Sequence, residues 1–207
     1  MSKSIVLALC GCRRVGKDTV ASHLLASGSR WHHVKISHAL KKAVAYLFDL
    51  TEQEVEGESK DCVVERRQQH AADGLTPRRI MQWFGTDVMQ HALCSELSPS
   101  TGRNFWINRA IVDIRRALDS GCSVVISDVR FHHEVDALKG EFGDDLLCLY
   151  ISRDSLASSG DAESTHESEA NVATLRERMD SVIVNREGEI DRLLRDCDDA
   201  LHLKFTM

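Results

Sequence analysis

The stretch ALCGCRRVGKDTVASHLL, residues 8–25, decides how the chain folds. It holds Gly11, four further residues, then Gly16 and Lys17, the spacing of a phosphate-binding loop. Asp18 stands where that motif usually has the Ser or Thr that ligates magnesium. The apolar run SIVLALCG at 4–11 precedes the loop and predicts a strand buried on both faces. Residues 17–28 follow with Val20, Leu24 and Leu25 at helical spacing and Gly28 as a stop. Strand, glycine turn and helix form the context in which such a loop holds phosphate. A turn that binds nothing has no need of two glycines and a lysine at this spacing.

The same alternation continues along the chain. A short strand is expected at 33–37 and a helix at 38–50. The segment 75–93 predicts a helix with Thr76 as N-cap and Pro77 at the first helical position. Another amphipathic helix is expected at 104–121, stopped by Gly121. CSVVISDVR at 122–130 and DLLCLYISR at 145–153 read as buried strands, and SVIVN at 181–185 as a last short one before a charged helix near 187–197. Residues 51–75 are polar and read as a partly helical excursion, and 154–170 as an exposed loop or lid. Strands alternating with helices predict an α/β fold with a central parallel sheet and ligands at the strands' carboxyl ends.

Bulk properties narrow the partners. A chain of 207 residues can form one sizeable α/β domain or two small ones, and a net charge of −6 argues against a broad nucleic-acid-binding surface. Seven cysteines lie singly at 10, 12, 62, 94, 122, 148 and 197, which fits reduced thiols rather than a disulfide or zinc framework. The first apolar run is too short for a signal peptide, and no run reaches membrane-spanning length. A soluble, intracellular protein is expected.

The chemistry centres on charge. Backbone N–H groups of 11–16 would cradle a β-phosphate at a helix N-terminus, with Lys17 reaching the β- and γ-oxygens. A carboxylate at Asp18 implies a magnesium ion further out and largely hydrated, with the Thr19 hydroxyl near the α-phosphate. Arg13 and Arg14 either stabilise charge on a transferred phosphoryl group or lie in solvent. Asp128 closes a hydrophobic strand, where a metal-organising carboxylate sits, and Arg130 is placed to meet a phosphate or a carboxylate. In the 76–90 helix, Arg79, Gln82, Thr86 and Gln90 share one face, and Ile80, Trp83, Phe84 and Val88 the apolar side. That polar stripe reads equally as a solvated face or as a surface that recognises a nucleotide. THESE at 165–169 reads as a hydrophilic loop, and the pairs His32–His33 and His132–His133 as exposed or locally capped.

Together, GCRRVGKDTVA, LTPRRIMQWFGTDV, FWINRA, VVISDVRFHHEVDAL, HESE and MDSVIVNREG occur in an order that resembles the deoxynucleoside monophosphate kinases of large DNA viruses and phages. Phosphomevalonate kinases, more distant, also carry a G-K-D loop. The resemblance covers about residues 4–196. It implies a P-loop NTPase domain over 1–207, of the three-layer nucleoside-monophosphate-kinase type, with an acceptor-binding helical region about 38–120 and a lid about 154–178. It implies ATP phosphates along Gly11–Thr19, including Arg13, Val15, Gly16 and Lys17, and Mg²⁺ organised by Asp18 and Asp128. Lys17, Arg14, Asp128 and Arg130 would carry the catalysis. The acceptor is implied at Ser37, Lys41, Arg79, Gln82, Trp83 and Trp106, with Arg130 and Glu134 lining the same cleft. Arg153, His166, Ser168 and Glu169 would belong to the lid, and Asn185 to the purine-side loop. NREGE carries one residue more before its glycine than the family's N-x-G, and 51–75 matches nothing in the family pattern.

The implied reaction is ATP + dNMP → ADP + dNDP in a cytoplasmic enzyme, in the host cytoplasm if the chain is viral. The partner is a deoxynucleoside monophosphate, without nucleic acid or membrane, and a homodimer stays open. Two alternatives also stay open: a phosphomevalonate-type or other small-metabolite kinase, and a P-loop switch that holds nucleotide without a small acceptor.

Overall fold

The computed structural model describes residues 3–57, 59–62, 74–97, 101–153, 171–172 and 174–205. Its sheet is built from β1 (Val6–Cys10), β2 (Trp31–Val34), β3 (Ser123–Val129), β4 (Leu146–Arg153) and β5 (Ser181–Asn185). All neighbouring pairs are parallel, in the order β2-β3-β1-β4-β5. The fold is α/β, as the alternating pattern predicts.

The helices α1 (Lys17–Ala26), α7 (His132–Phe142) and α8 (Ile190–Phe205) belong to this sheet. From β1 the chain runs through α1 toward β2, and from β3 through α7 toward β4, in opposite directions along the sheet. Right-handed crossovers therefore place α1 and α7 on opposite faces. Because connections leave β1 and β4 in opposite directions, a crevice opens at the carboxyl ends of these two neighbours, where ligands bind in such sheets. Every residue of β1 is buried, which explains its unbroken apolar run. The core on the α1 side joins Leu7, Leu9, Val20, Leu24, Val125, Leu149 and Ile151 to Leu193 and Cys197 of α8.

The chain divides into two compact units, residues 1–35 with 110–207, and residues 36–109. The second unit is helical: α2 (His38–Leu47), α3 (Glu52–Val55), α4 (Pro77–Gln82), a π-helical stretch at Trp83–Leu93 and α5 (Cys94–Leu97). The helix α6 (Phe105–Asp119) follows. Val44, Leu50, Val55, Ile80 and Met81 form a separate core, packed against Leu40, Phe48, Leu75 and Phe84. Part of the unplaced polar excursion thus has a structural role. Thr51 and Glu54 make a capping box that starts α3, Val55 enters this core, and Glu56 pairs with Lys41 at 2.8 Å.

The single α-helix predicted over 75–93 is corrected by the structure. α-Helical winding ends at Gln82, and residues 83–93 wind as a π-helix. Gly85 lies in the first turn of this stretch. A Cβ there would sit 2.7 Å from Leu40 Cδ2, so a larger residue would make the Leu40 side chain shift, and Trp106 Nε1–H donates to Gly85 O at 2.9 Å. The wider winding turns Thr86 and Gln90 inward, to 6% and 5% exposure, and leaves Trp83 53% exposed. The expected polar stripe is therefore half buried, and the tryptophan assigned to the apolar side faces solvent. Among the described residues no helix is long and apolar enough to cross a membrane.

Gly11 carries the tightest constraint. Its φ is 142°, and a Cβ would lie 2.1 Å from Ile151 O of β4. Gly11→Ala should cost more than about 3 kcal/mol in urea denaturation, since strain and overpacking add. Gly28→Ala, with φ 78° but open space around it, should cost only about 1 kcal/mol. Equal losses at the two positions would remove the close contact with β4 as the cause.

Candidate active site

The loop between β1 and α1 is shaped by three left-handed residues, Gly11, Arg14 (φ 60°) and Gly16 (φ 107°). Gly16 also meets Leu193 Cδ2 at 2.8 Å and Asn185 Nδ2 at 3.0 Å from where its Cβ would be. Asn185, at the end of β5 and 7% exposed, donates its side-chain N–H to Val15 O at 2.9 Å. A buried amide thus ties the loop to the sheet. Lys17 folds back over the loop and donates to Gly11 O at 2.7 Å and to Cys12 O at 2.6 Å. Burial lowers its pKa below the ordinary lysine value, and the Arg130 guanidinium adds to the effect. Arg14, Gly16, Lys17 and Asn185 line a cleft of about 290 Å³ with Asp18 and Arg153. Arg153 Nη1 donates to Arg14 O at 3.4 Å across its mouth. The structure therefore joins Arg14–Thr19, Arg153 and Asn185, which the sequence placed on three separate elements.

Asp18 opens the first turn of α1 with an exposed carboxylate. Ser127 Oγ–H donates to its Oδ1 at 2.9 Å, and Lys35 Nζ stands 3.5 Å from the same oxygen. Partial burial raises the Asp18 pKa, but Lys35 and the Ser127 hydroxyl outweigh it and hold the carboxyl below the usual aspartate value. Ser127 is itself 3% exposed and lies 2.9 Å from His33 Nε2 of β2. His33 is thus neither fully exposed nor capped by its local backbone, as its sequence had suggested. Its ring is half-buried in the sheet; burial first and Lys35 second lower its pKa, against the pull of Asp18 and Asp128. Those two carboxylates act on one imidazole.

Among the described residues, no group of three or more His, Cys, Asp or Glu forms a metal cluster. Two oxygen-donor carboxylates suit a hard cation that keeps most of its water, so Asp18 and Asp128 fit magnesium better than a softer metal.

Glu134 sits in the first turn of α7 and is 3% exposed. Its Oε2 accepts the N–H groups of Arg130 at 2.7 Å and Phe131 at 3.0 Å. The carboxylate therefore shapes the turn that presents Arg130, rather than offering its oxygens to solvent. Burial pushes its pKa up to about 7, against the pull of these two donors.

The acceptor residues expected in the second unit have distinct settings. Thr76 Oγ1 accepts Arg79 N–H at 3.2 Å, and the Arg79 side chain is exposed, whereas its neighbour Arg78 pairs with Asp61. Gln82 is half-buried, and Ser37 is the residue before α2. Lys41 holds Glu56, as noted, and Trp106 is 6% exposed with its N–H given to Gly85 O. His166, Ser168 and Glu169 lie outside the described residues.

The sequence profile of the deoxynucleotide monophosphate kinase family matches residues 59–196. This chain belongs to that family. A protein of Acanthamoeba polyphaga mimivirus, named for the same kinase, is 32% identical over 190 residues, covering 88% of this chain and 89% of its own. Solved structures similar to the chain include TT1252 from Thermus thermophilus, at 18% identity and TM-score 0.46, covering 98% of each chain. Another is dephospho-CoA kinase from Campylobacter jejuni, at 10% identity and TM-score 0.47, covering 100% of each chain. Family membership makes the chain an enzyme, a kinase with ATP as phosphate donor, and decides against a P-loop switch.

In this kinase several residues of the site escaped the sequence. Ser127 stands inside the VVISDVRF motif without a role of its own there, Lys35 belongs to no motif, and His33 lacks zinc spacing. Gln90 belongs to the polar stripe that reads equally as a solvated face or a nucleotide-recognising surface, and its Oε1 is buried with no hydrogen-bond partner among the described residues.

The raised pKa of Glu134 sets a pH dependence. With a folded value of about 7 and an unfolded value near 4.5, the native state holds the proton more tightly across that window. Stability from this group is present below pH ~4.5 and falls as pH rises through ~7, by on the order of 3 kcal/mol. Glu134→Gln does not titrate. Its stability relative to the parent should therefore climb between pH ~4.5 and ~8 in denaturant titrations, and a flat difference would refute the raised pKa.

Proposed function

We propose that the kinase transfers the γ-phosphoryl group of ATP to a deoxynucleoside monophosphate, giving ADP and the deoxynucleoside diphosphate. The observation that carries this reading is the gathering of charged side chains around one glycine loop that opens a helix N-terminus. Lys17 bridges the loop carbonyls, the charge of Arg130 bears on it, and Asp18 leads the helix that the loop opens.

An oxygen of the acceptor's phosphate attacks the γ-phosphorus, and the bond to the β–γ bridging oxygen breaks, leaving that electron pair on ADP. Charge spreads over the γ-oxygens during transfer, so catalysis is positioning and neutralisation. Loop N–H groups and the α1 N-terminus hold the β-phosphate. Lys17 moves its ammonium from loop carbonyls to phosphate oxygens, and partial burial strengthens its field. Arg14 and Arg130 offset charge on the group in flight. Asn185 keeps the loop against the sheet. Asp18 and Asp128 would hold Mg²⁺ through water, and the ion when bound neutralises triphosphate oxygens. Arg79 takes the acceptor phosphate, Gln82 its base, and the exposed Trp83 ring offers a stacking face.

An acceptor panel of every dNMP, the NMPs and phosphomevalonate, read as acceptor-dependent ADP release, tests this directly. Release with phosphomevalonate alone would overturn it. Lys17→Ala should lower turnover by roughly a thousandfold, in line with losing one transition-state charge contact. Its unfolding free energy should change by less than about 1 kcal/mol, because the side chain serves the loop rather than the core. Arg79→Ala should cost roughly 2–4 kcal/mol in kcat/KM for every dNMP alike, through a lost charge-assisted phosphate contact. The KM for ATP should stay near that of the parent. A rise in ATP KM with dNMP KM unchanged would move Arg79 to the donor side.

A further inference from the structure

Ser127 and His33 sit behind Asp18 in an arrangement that neither phosphate binding nor core packing requires. In β2 and β3, His33 pairs in register with Val125. Ser127 lies two residues beyond Val125, where the register of β3 against β1 shifts, and its hydrogen bonds to His33 and Asp18 place its hydroxyl on the same side. Val125 belongs to the core that α1 covers, so both side chains lie beneath the start of that helix. A buried serine hydroxyl in a strand of Val and Ile is costly unless it is bonded.

The hydrogen-bond inventory fixes the direction of the chain. An ionised carboxylate only accepts, so the single Ser127 proton goes to Asp18 Oδ1, 2.9 Å away. Toward His33 the hydroxyl must then accept, so the proton lies on Nε2, 2.9 Å from Oγ. The order is His33 Nε2–H to Ser127 Oγ–H to Asp18 Oδ1, and Lys35 faces that same Oδ1 at 3.5 Å.

We propose that Ser127 and His33 are positioning residues for Asp18, engaging Oδ1 from behind so that the carboxylate presents Oδ2 alone to a hydrated metal ion. This rests on the kinase reading above. In most P-loops a hydroxyl at position 18 would meet the metal directly. Here the hydroxyl has moved to the neighbouring strand, and a carboxylate stands between it and the ligand. An aspartate at a helix start is otherwise free to rotate, and a rigid strand serine removes that freedom. Partners of this kind, one shell behind a metal-organising group, typically change metal affinity or activity by 10- to 100-fold when removed.

The test uses the full-length enzyme. Ser127→Ala should raise the Mg²⁺ concentration for half-maximal turnover by roughly tenfold, leave the dNMP KM unchanged, and be rescued by Ser127→Thr. Binding of ATP without metal should match the parent in fluorescence titrations, and the Mg²⁺ needed to tighten it should rise likewise. ¹⁵N NMR of the parent's His33 should show Nε2 protonated and Nδ1 bare at neutral pH. His33→Gln, which keeps an N–H donor, should shift the Mg²⁺ requirement less than His33→Ala. An Nδ1–H tautomer in the parent would overturn the proposal, whether or not Ser127→Ala folds. So would a folded Ser127→Ala enzyme with an unchanged Mg²⁺ requirement. Absence of acceptor-dependent ADP release from the parent would instead refute the kinase reaction, and the tautomer and the metal-dependent binding would still decide the relay.

Discussion

The backbone of β4 passes so close to Gly11 that any side chain there would collide with the Ile151 carbonyl. This contact sets the path of the chain as it leaves β1, and Asn185 sets it again from β5 through the Val15 carbonyl. Held between two strands, the loop turns through left-handed residues at Arg14 and Gly16 before α1 begins. Its orphan N–H groups then converge at the helix N-terminus, where an anion is favoured. Anchorage to these two strands gives a geometry that a free glycine turn would lose to entropy.

Charge is distributed around that loop at different depths. Asp18 is exposed, Lys17 and Arg130 half-buried, and Glu134 buried. Depth decides what each can do. Exposed Asp18 keeps its charge through Lys35 and Ser127 and can face a hydrated ion. Buried Glu134 accepts backbone N–H groups and shapes the turn that carries Arg130. The buried thiols of Cys10, Cys148 and Cys197 are pushed up to about 12 by desolvation and stay protonated, so they serve packing.

The elements around the loop were legible because their signals are local. β1, α1, β3, β4 and β5 each carry an apolar run or a periodic stripe bounded by glycine or a polar turn, and β5 falls at 181–185 as expected. The 75–93 segment departs from its α-helical pattern for an equally physical reason. Its residues fit α-helical spacing, but Leu40 packing on Gly85 and the Trp106 bond to Gly85 O lie outside any local window. Those contacts accompany the wider winding that buries Thr86 and Gln90 and exposes Trp83.

By itself, the sequence determined that a parallel sheet would carry a glycine loop at Gly11–Lys17, with Asp128 and Arg130 at the end of a neighbouring strand. Those features depend on residue type and short spacing. Tertiary structure alone decided how Asp18 is held, since Ser127 reaches it across 109 residues of chain and His33 reaches Ser127 across 94. It also decided that Asn185 grips the loop, 170 residues from Val15. Hydrogen bonds across such separations leave no periodicity in a sequence. They exist only once the sheet has set its strand order and register.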